Sequence, residues 1–96
     1  MKKENRKIIR THSAGVFFGE IASRDGKEAT IKNARRLWYW VGAASLSELA
    51  QRGTNQPGKC KFPAPVDSIL VTEVIEILDV TANAAASIDS VPVWTV

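Results

Sequence analysis

Arg24-Asp25-Gly26-Lys27 stands between two runs rich in β-branched and aromatic residues, Gly15-Val-Phe-Phe-Gly-Glu-Ile-Ala22 and Glu28-Ala-Thr-Ile-Lys32. Glycine accepts the positive φ that a tight two-residue turn demands, so the segment from Ile21 to Ile31 reads as an antiparallel hairpin. Lys7-Ile-Ile-Arg-Thr-His12 has the β-branched content of a further short strand. Ser13-Ala14-Gly15, between it and the hairpin, is small enough to bend.

After the hairpin, Asn33-Ala34 forms a second candidate bend before Arg35-Arg-Leu-Trp-Tyr-Trp-Val41 extends again. Strand alternation sends Arg36, Trp38 and Trp40 to one face and Leu37, Tyr39 and Val41 to the other. Both faces are then large and mostly apolar. Such a strand is either central in its sheet or covered on its second face by a neighbouring subunit or a ligand.

Ser45-Leu-Ser-Glu48 matches a capping box and predicts a short helix from about Leu46 to Arg52, with Leu46, Leu49 and Ala50 on its buried side and Gly53 as the left-handed residue after it. Phe62-Pro-Ala-Pro65 must be extended. From Asp67 to Val80 the β-branched residues favour one long bent strand or two short ones. Thr81 is placed to cap a small alanine-rich helix through Ile88, and Val91-Pro-Val-Trp94 reads as a short edge strand or docking arm that ties down the end. The fold class expected is α+β, a small, mainly antiparallel sheet or barrel-like domain with one or two short helices.

Ninety-six residues make one domain, residues 7–96, behind a basic tail over residues 1–6. A chain of this size has a limited core, which oligomerisation supplements. The net charge of +3 permits contact with anions but falls short of the positive field of a dedicated duplex binder. Part of that charge, Lys2, Lys3, Arg6 and Lys7 against Glu4, reads as a solvated tail. A single cysteine, Cys60, cannot form an internal disulfide, and no leader-like or membrane-spanning run is present, so a cytoplasmic, non-membrane protein is expected.

Asn33-Ala-Arg-Arg-Leu-Trp-Tyr-Trp40 followed by Gly42-Ala-Ala-Ser-Leu46, with Cys60-Lys-Phe62, Thr72-Glu-Val-Ile-Glu-Ile77 and Ser87-Ile88 beyond, resembles a family of small uncharacterised proteins encoded by tailed bacteriophages and prophages. The resemblance implies a genomic setting and no functional residues. Small phage proteins that are not virion parts are often accessory factors that bind something of the host, counter-defence proteins among them.

For catalysis the inventory is thin. His12 has no partner at a recognisable spacing, and Glu48 is explained by capping. Cys60 lies between Lys59 and Lys61, whose charges favour a thiolate, although a buried small residue explains it as well. No metal-ligand spacing is present, and no enzyme, metal or cofactor is expected. The constellation that carries chemistry is Lys32, Arg35, Arg36, Trp38 and Trp40, where cation and ring alternate. Indoles stack on planar bases, and guanidinium groups bond phosphate oxygens. The plainer reading of the tryptophans is core or subunit interface. Alternation also sends Arg35 and Arg36 to opposite faces, so at most one belongs with the indoles. Three classes follow: a homo-oligomer that sequesters a small anionic or nucleotide-like ligand, such as a host immune signal; a protein-binding inhibitor of a host factor; and a single-stranded nucleic-acid binder.

Overall fold

The computed structural model describes residues 4–96. Along the chain come β1 (Lys7–Thr11), β2 (Val16–Asp25), β3 (Glu28–Arg36), α1 (Leu46–Arg52), a 3-10 turn (Pro57–Lys59), β4 (Val66–Val71), β5 (Val74–Asp79) and α2 (Ala82–Asp89). The expected hairpin forms, with Gly26, at φ 60, and Lys27 as its two turn residues between the paired Asp25 and Glu28. All the strand pairings are antiparallel, in the order β4-β3-β2-β1-β5. The expected α+β class with a mainly antiparallel sheet and two short helices is the fold observed.

That order places β4 and β5, neighbours in sequence, at opposite edges of the sheet. In a flat sheet those edges would lie about 19 Å apart, four strand spacings. Only Thr72 and Glu73 join the two strands, and such a link reaches at most about 11 Å. The sheet must therefore roll up, although it is not closed, since β4 and β5 each pair on one side alone. Three bulges bend it: Ala22 in β2 and Ile75 in β5 are extra residues against their partner strands, and in β3 Asn33 and Ala34 stand against Gly19 alone. The segment from Asp67 to Val80 is thus two short strands, the second of the alternatives expected.

Rolling buries both faces. Ile9, Phe17, Ala29, Ile31, Ala34, Val71 and Val74 fill the inside of the roll. Ile8 and Phe18, one residue away in register, point outward into a second cluster with Leu37, Leu49, Phe62, Ala84, Ala85 and Ile88. The helices and the extended 60–63 segment cover this outer face. Ser45 caps α1 by accepting from the Glu48 amide at 3.2 Å, while the Glu48 carboxylate reaches Ala44 N at 2.8 Å. Gly53 follows at φ 75 and ψ −153, an extended mirror conformation rather than the expected left-handed helical one. It brings the chain against α2, where Ser87 Oγ accepts from Thr54 N at 2.9 Å and donates to Thr54 O at 3.0 Å. Thr81 caps α2 as expected.

The segment before β1 is docked from Glu4 onward. Arg6 donates to both Asp89 oxygens at 2.8 Å and to Glu4, and its guanidinium lies 4.7 Å from the Phe18 ring centroid. Lys7 pairs with Asp79 at 2.6 Å. Lys2 and Lys3, the rest of the expected solvated tail, lie outside the described residues.

Candidate functional site

The site begins at the β3 bulge. Between the pairs Phe18↔Arg35 and Glu20↔Lys32, β2 has one residue, Gly19, and β3 has two, Asn33 and Ala34. Asn33 takes φ 50, a left-handed conformation that asparagine tolerates better than most residues. Gly19 makes room opposite: a Cβ there would stand 2.7 Å from Ile31 Cγ2 and 2.8 Å from Lys32 O. The extra residue reverses the alternation. Without it Arg35 would follow Ile31 into the roll; with it Arg35 joins the outer row beside Phe18, and Arg36 sits beside Phe17 on the inner row.

The two arginines then meet different fates. Arg35 is only 8% exposed, and its guanidinium donates to the carbonyls of Pro63 (3.1 Å), Ile88 (3.2 Å), Phe62 (3.1 Å) and Val91 (2.8 Å). Burial pushes its pKa down and nearby Asp89 pushes it back up, yet an arginine stays charged throughout the working range. Arg35 is a cross-brace between β3, the 62–63 segment and α2. Arg36 is half-buried, stacked 4.5 Å from the Phe17 ring centroid, with Nη1 donating to Ala14 O. Among the described residues no carboxylate pairs with it.

The strand expected from Arg35 to Val41 is cut short, because β3 ends at Arg36. Leu37 N still reaches Val16 O at 2.9 Å, but β2 starts at Val16, so no further partner is available on that side. Tyr39 pairs instead with Lys61. Freed from a sheet, the side chains depart from strict alternation: Leu37 is core, Trp38 and Tyr39 are 58% and 46% exposed, and Trp40 packs half-buried on the outer cluster.

Arg36, Trp38 and Trp40 nevertheless line one cleft of about 370 Å³, as their shared face in the sequence suggested, with Ser13 to Val16 as its other wall. Gly15 in that wall takes φ 98, a conformation that favours glycine, while a Cβ there would make only ordinary contact with Arg36 Nη1, at 3.4 Å. Arg35 lines a separate cleft of about 380 Å³ with Arg6, Asn33 and Asp89. Lys32 is exposed, opposite Glu20 and Ser68, and does not line the tryptophan cleft.

Beside Trp38 stand two residues that the sequence reading left out of the site. Trp94 stacks on it, with ring centroids 5.2 Å apart and planes within 4°, while Trp94 N donates to Phe62 O at 3.0 Å. The Lys61 ammonium lies 5.5 Å from the Trp38 centroid and 5.6 Å from those of Tyr39 and Trp94. The signal for Trp94 was its position in an end that had to be tied down; for Lys61 it was the lysine pair around Cys60.

Cys60 itself is buried, its Sγ 3.6 Å from Val41 O and 3.7 Å from Gln56 O. His12 is exposed, with Nδ1 3.9 Å from Glu73 Oε2. Among the described residues no three potential ligands cluster to hold a metal ion, and no helix is long and apolar enough to cross a membrane. Nothing among curated proteins or solved structures matches the chain. A family model described as a domain of unknown function, DUF6948, matches residues 4–88. That span takes in Arg36, Trp38, Trp40 and Lys61 and stops short of Trp94, and the chain belongs to this family.

Proposed function

We propose that the protein is a non-enzymatic accessory protein that binds and sequesters a small anionic ligand with a planar group, such as a nucleotide, in the cleft between Arg36, Trp38 and Trp40. One observation carries this reading. Arg36 is held in place by the Phe17 ring and the Ala14 carbonyl, has no carboxylate partner among the described residues, and lines a cleft together with the indoles of Trp38 and Trp40. A guanidinium fixed in this way is pre-organised for a phosphate, and an indole stacks on a base for about 1 to 3 kcal/mol. The resemblance to phage-encoded proteins supports a counter-defence setting in the host cytoplasm, where a sponge for a nucleotide signal acts by stoichiometry. The small core supports assembly as a homo-oligomer.

A second reading, an inhibitor that docks on a host protein, draws on the outer side of the site. The exposed Trp38 and Tyr39 are of the residue types that dominate binding hot spots. Thermal melts with nucleotides separate the two. Ligand at about 100 times its dissociation constant stabilises the folded state by about 2.7 kcal/mol, whereas unchanged melts across mono- and dinucleotides would reject the first reading. Gel filtration with light scattering tests the oligomer, and a monomer at working concentration would contradict it.

A further inference from the structure

The Arg36 cleft uses one side of Trp38. Trp94 covers one face of that indole, and the residue is still 58% exposed. Lys61 stands beside the Trp38–Trp94 stack, 5.5 and 5.6 Å from the two centroids, and outside the cleft. Its position is set by backbone, because Tyr39 and Lys61 exchange both N–H···O bonds, at 3.3 and 2.8 Å. Its ammonium is near three rings and, among the described residues, has no carboxylate partner.

Among the described residues Arg24, Lys27, Lys32, Arg52 and Lys59 also have no carboxylate partner, but none of them lies over an aromatic ring. On the β1 and β5 side each cation is answered: Arg6 by Glu4 and Asp89, Lys7 by Asp79, Arg10 by Glu76. Around Trp38 two cations are not, and each has its own ring: Arg36 with Trp40, and Lys61 with the half-exposed Tyr39. The same pair of functional groups is present twice, side by side, with Trp38 shared between them.

We propose that the site takes a ligand carrying two phosphates and two planar bases, that is, a dinucleotide unit. One phosphate bonds Arg36 with its base against the indoles of the cleft; the other sits at Lys61 with its base against Tyr39. This rests on the reading of the Arg36 cleft as a phosphate site. Joining the two contacts in one molecule makes the second intramolecular, so the dinucleotide gains affinity that neither half has alone. A free dinucleotide and two consecutive residues of a single strand share this chemistry.

Quenching of tryptophan fluorescence tests it, with 5′-AMP, linear pApA, cyclic di-AMP and a short oligo(dA) titrated into the wild type, Arg36→Ala, Lys61→Ala and Lys61→Gln. The expected result is that pApA or the cyclic form binds about tenfold or more tighter than AMP. Both Lys61 variants should remove that gain while leaving AMP affinity unchanged, and Arg36→Ala should abolish binding of all four. An oligo(dA) that outbinds both dinucleotides, steeply dependent on salt, identifies the source as a strand. Equal affinities for AMP and the dinucleotides, or AMP binding lost in either Lys61 variant, overturns the two-unit site and leaves the Arg36 reading standing. No binding of any probe overturns both.

Discussion

Arg35 and Arg36 are neighbours in the chain and opposites in the fold. The first is sealed among four carbonyls on the outer face, and the second is stacked on a phenylalanine at the edge of an indole-lined cleft. The difference is not chemical, since the side chains are identical. It arises from one extra residue in β3, which turns the outward arginine into a brace and leaves the other with charge to spare. Position relative to a bulge, rather than residue type, divides the buried guanidinium from the cleft-lining one here.

The sharpest way to break this comparison is to remove the brace. Arg35→Leu leaves the carbonyls of Phe62, Pro63, Ile88 and Val91 without their donor, and is expected to cost about 3 to 5 kcal/mol in urea unfolding. A loss below about 1 kcal/mol would show that the carbonyls find other partners. Next comes the bulge itself. In Gly19→Ala the new methyl meets Ile31 and Lys32 O, so a loss of about 1 to 3 kcal/mol is expected, with weaker nucleotide binding because Arg36 moves with the register. Retained affinity at reduced stability would separate the bulge from the site.

Trp94→Ala removes the stack on Trp38 and should cost about 0.5 to 1.5 kcal/mol in a thermal melt, with a changed tryptophan emission. Arg36→Ala inverts the behaviour of its neighbour: stability falls by less than about 1 kcal/mol, the scale of one exposed cation–π contact, while nucleotide quenching disappears. A large stability loss in that variant would make Arg36 a second brace and erase the contrast.

The smallest expected effect concerns acid. Arg6 holds the Glu4 carboxyl down from its ordinary 4.5 to about 2, chiefly through their side-chain hydrogen bond and against the effect of burial. The stabilisation from a lowered carboxylate is complete above the unfolded value and is lost as pH falls from about 4.5 to about 2. For a part-exposed pair it amounts to about 1 kcal/mol or less. Arg6→Ala should flatten that part of the stability–pH curve, and an unchanged slope would assign it to other carboxylates.

Much of the architecture was readable before any coordinates. The hairpin and the Ser45 and Thr81 caps followed from neighbouring residues, and 67–80 read as extended without deciding between one bent strand and two short ones. Within the site, the grouping of Arg36, Trp38 and Trp40, and its separation from Arg35, was also readable, although the segment is only partly a strand. Lys32 was linked to them by closeness in sequence alone; in the fold it stands opposite Glu20 and Ser68 and outside the cleft. Lys61 and Trp94 escaped because no local pattern connects either residue to Trp38.

By itself the sequence determined what a few consecutive residues can settle. The hairpin turns at Gly26 because glycine accepts positive φ, α1 starts because Ser45 satisfies a free amide, and β-branched residues extend because their side chains crowd a helix. Only the tertiary structure decided that the sheet rolls, which arginine is buried, and which cation and ring join Trp38. Those outcomes depend on cross-strand register and on burying both faces of one sheet at once, and such contacts are made between residues far apart in the chain.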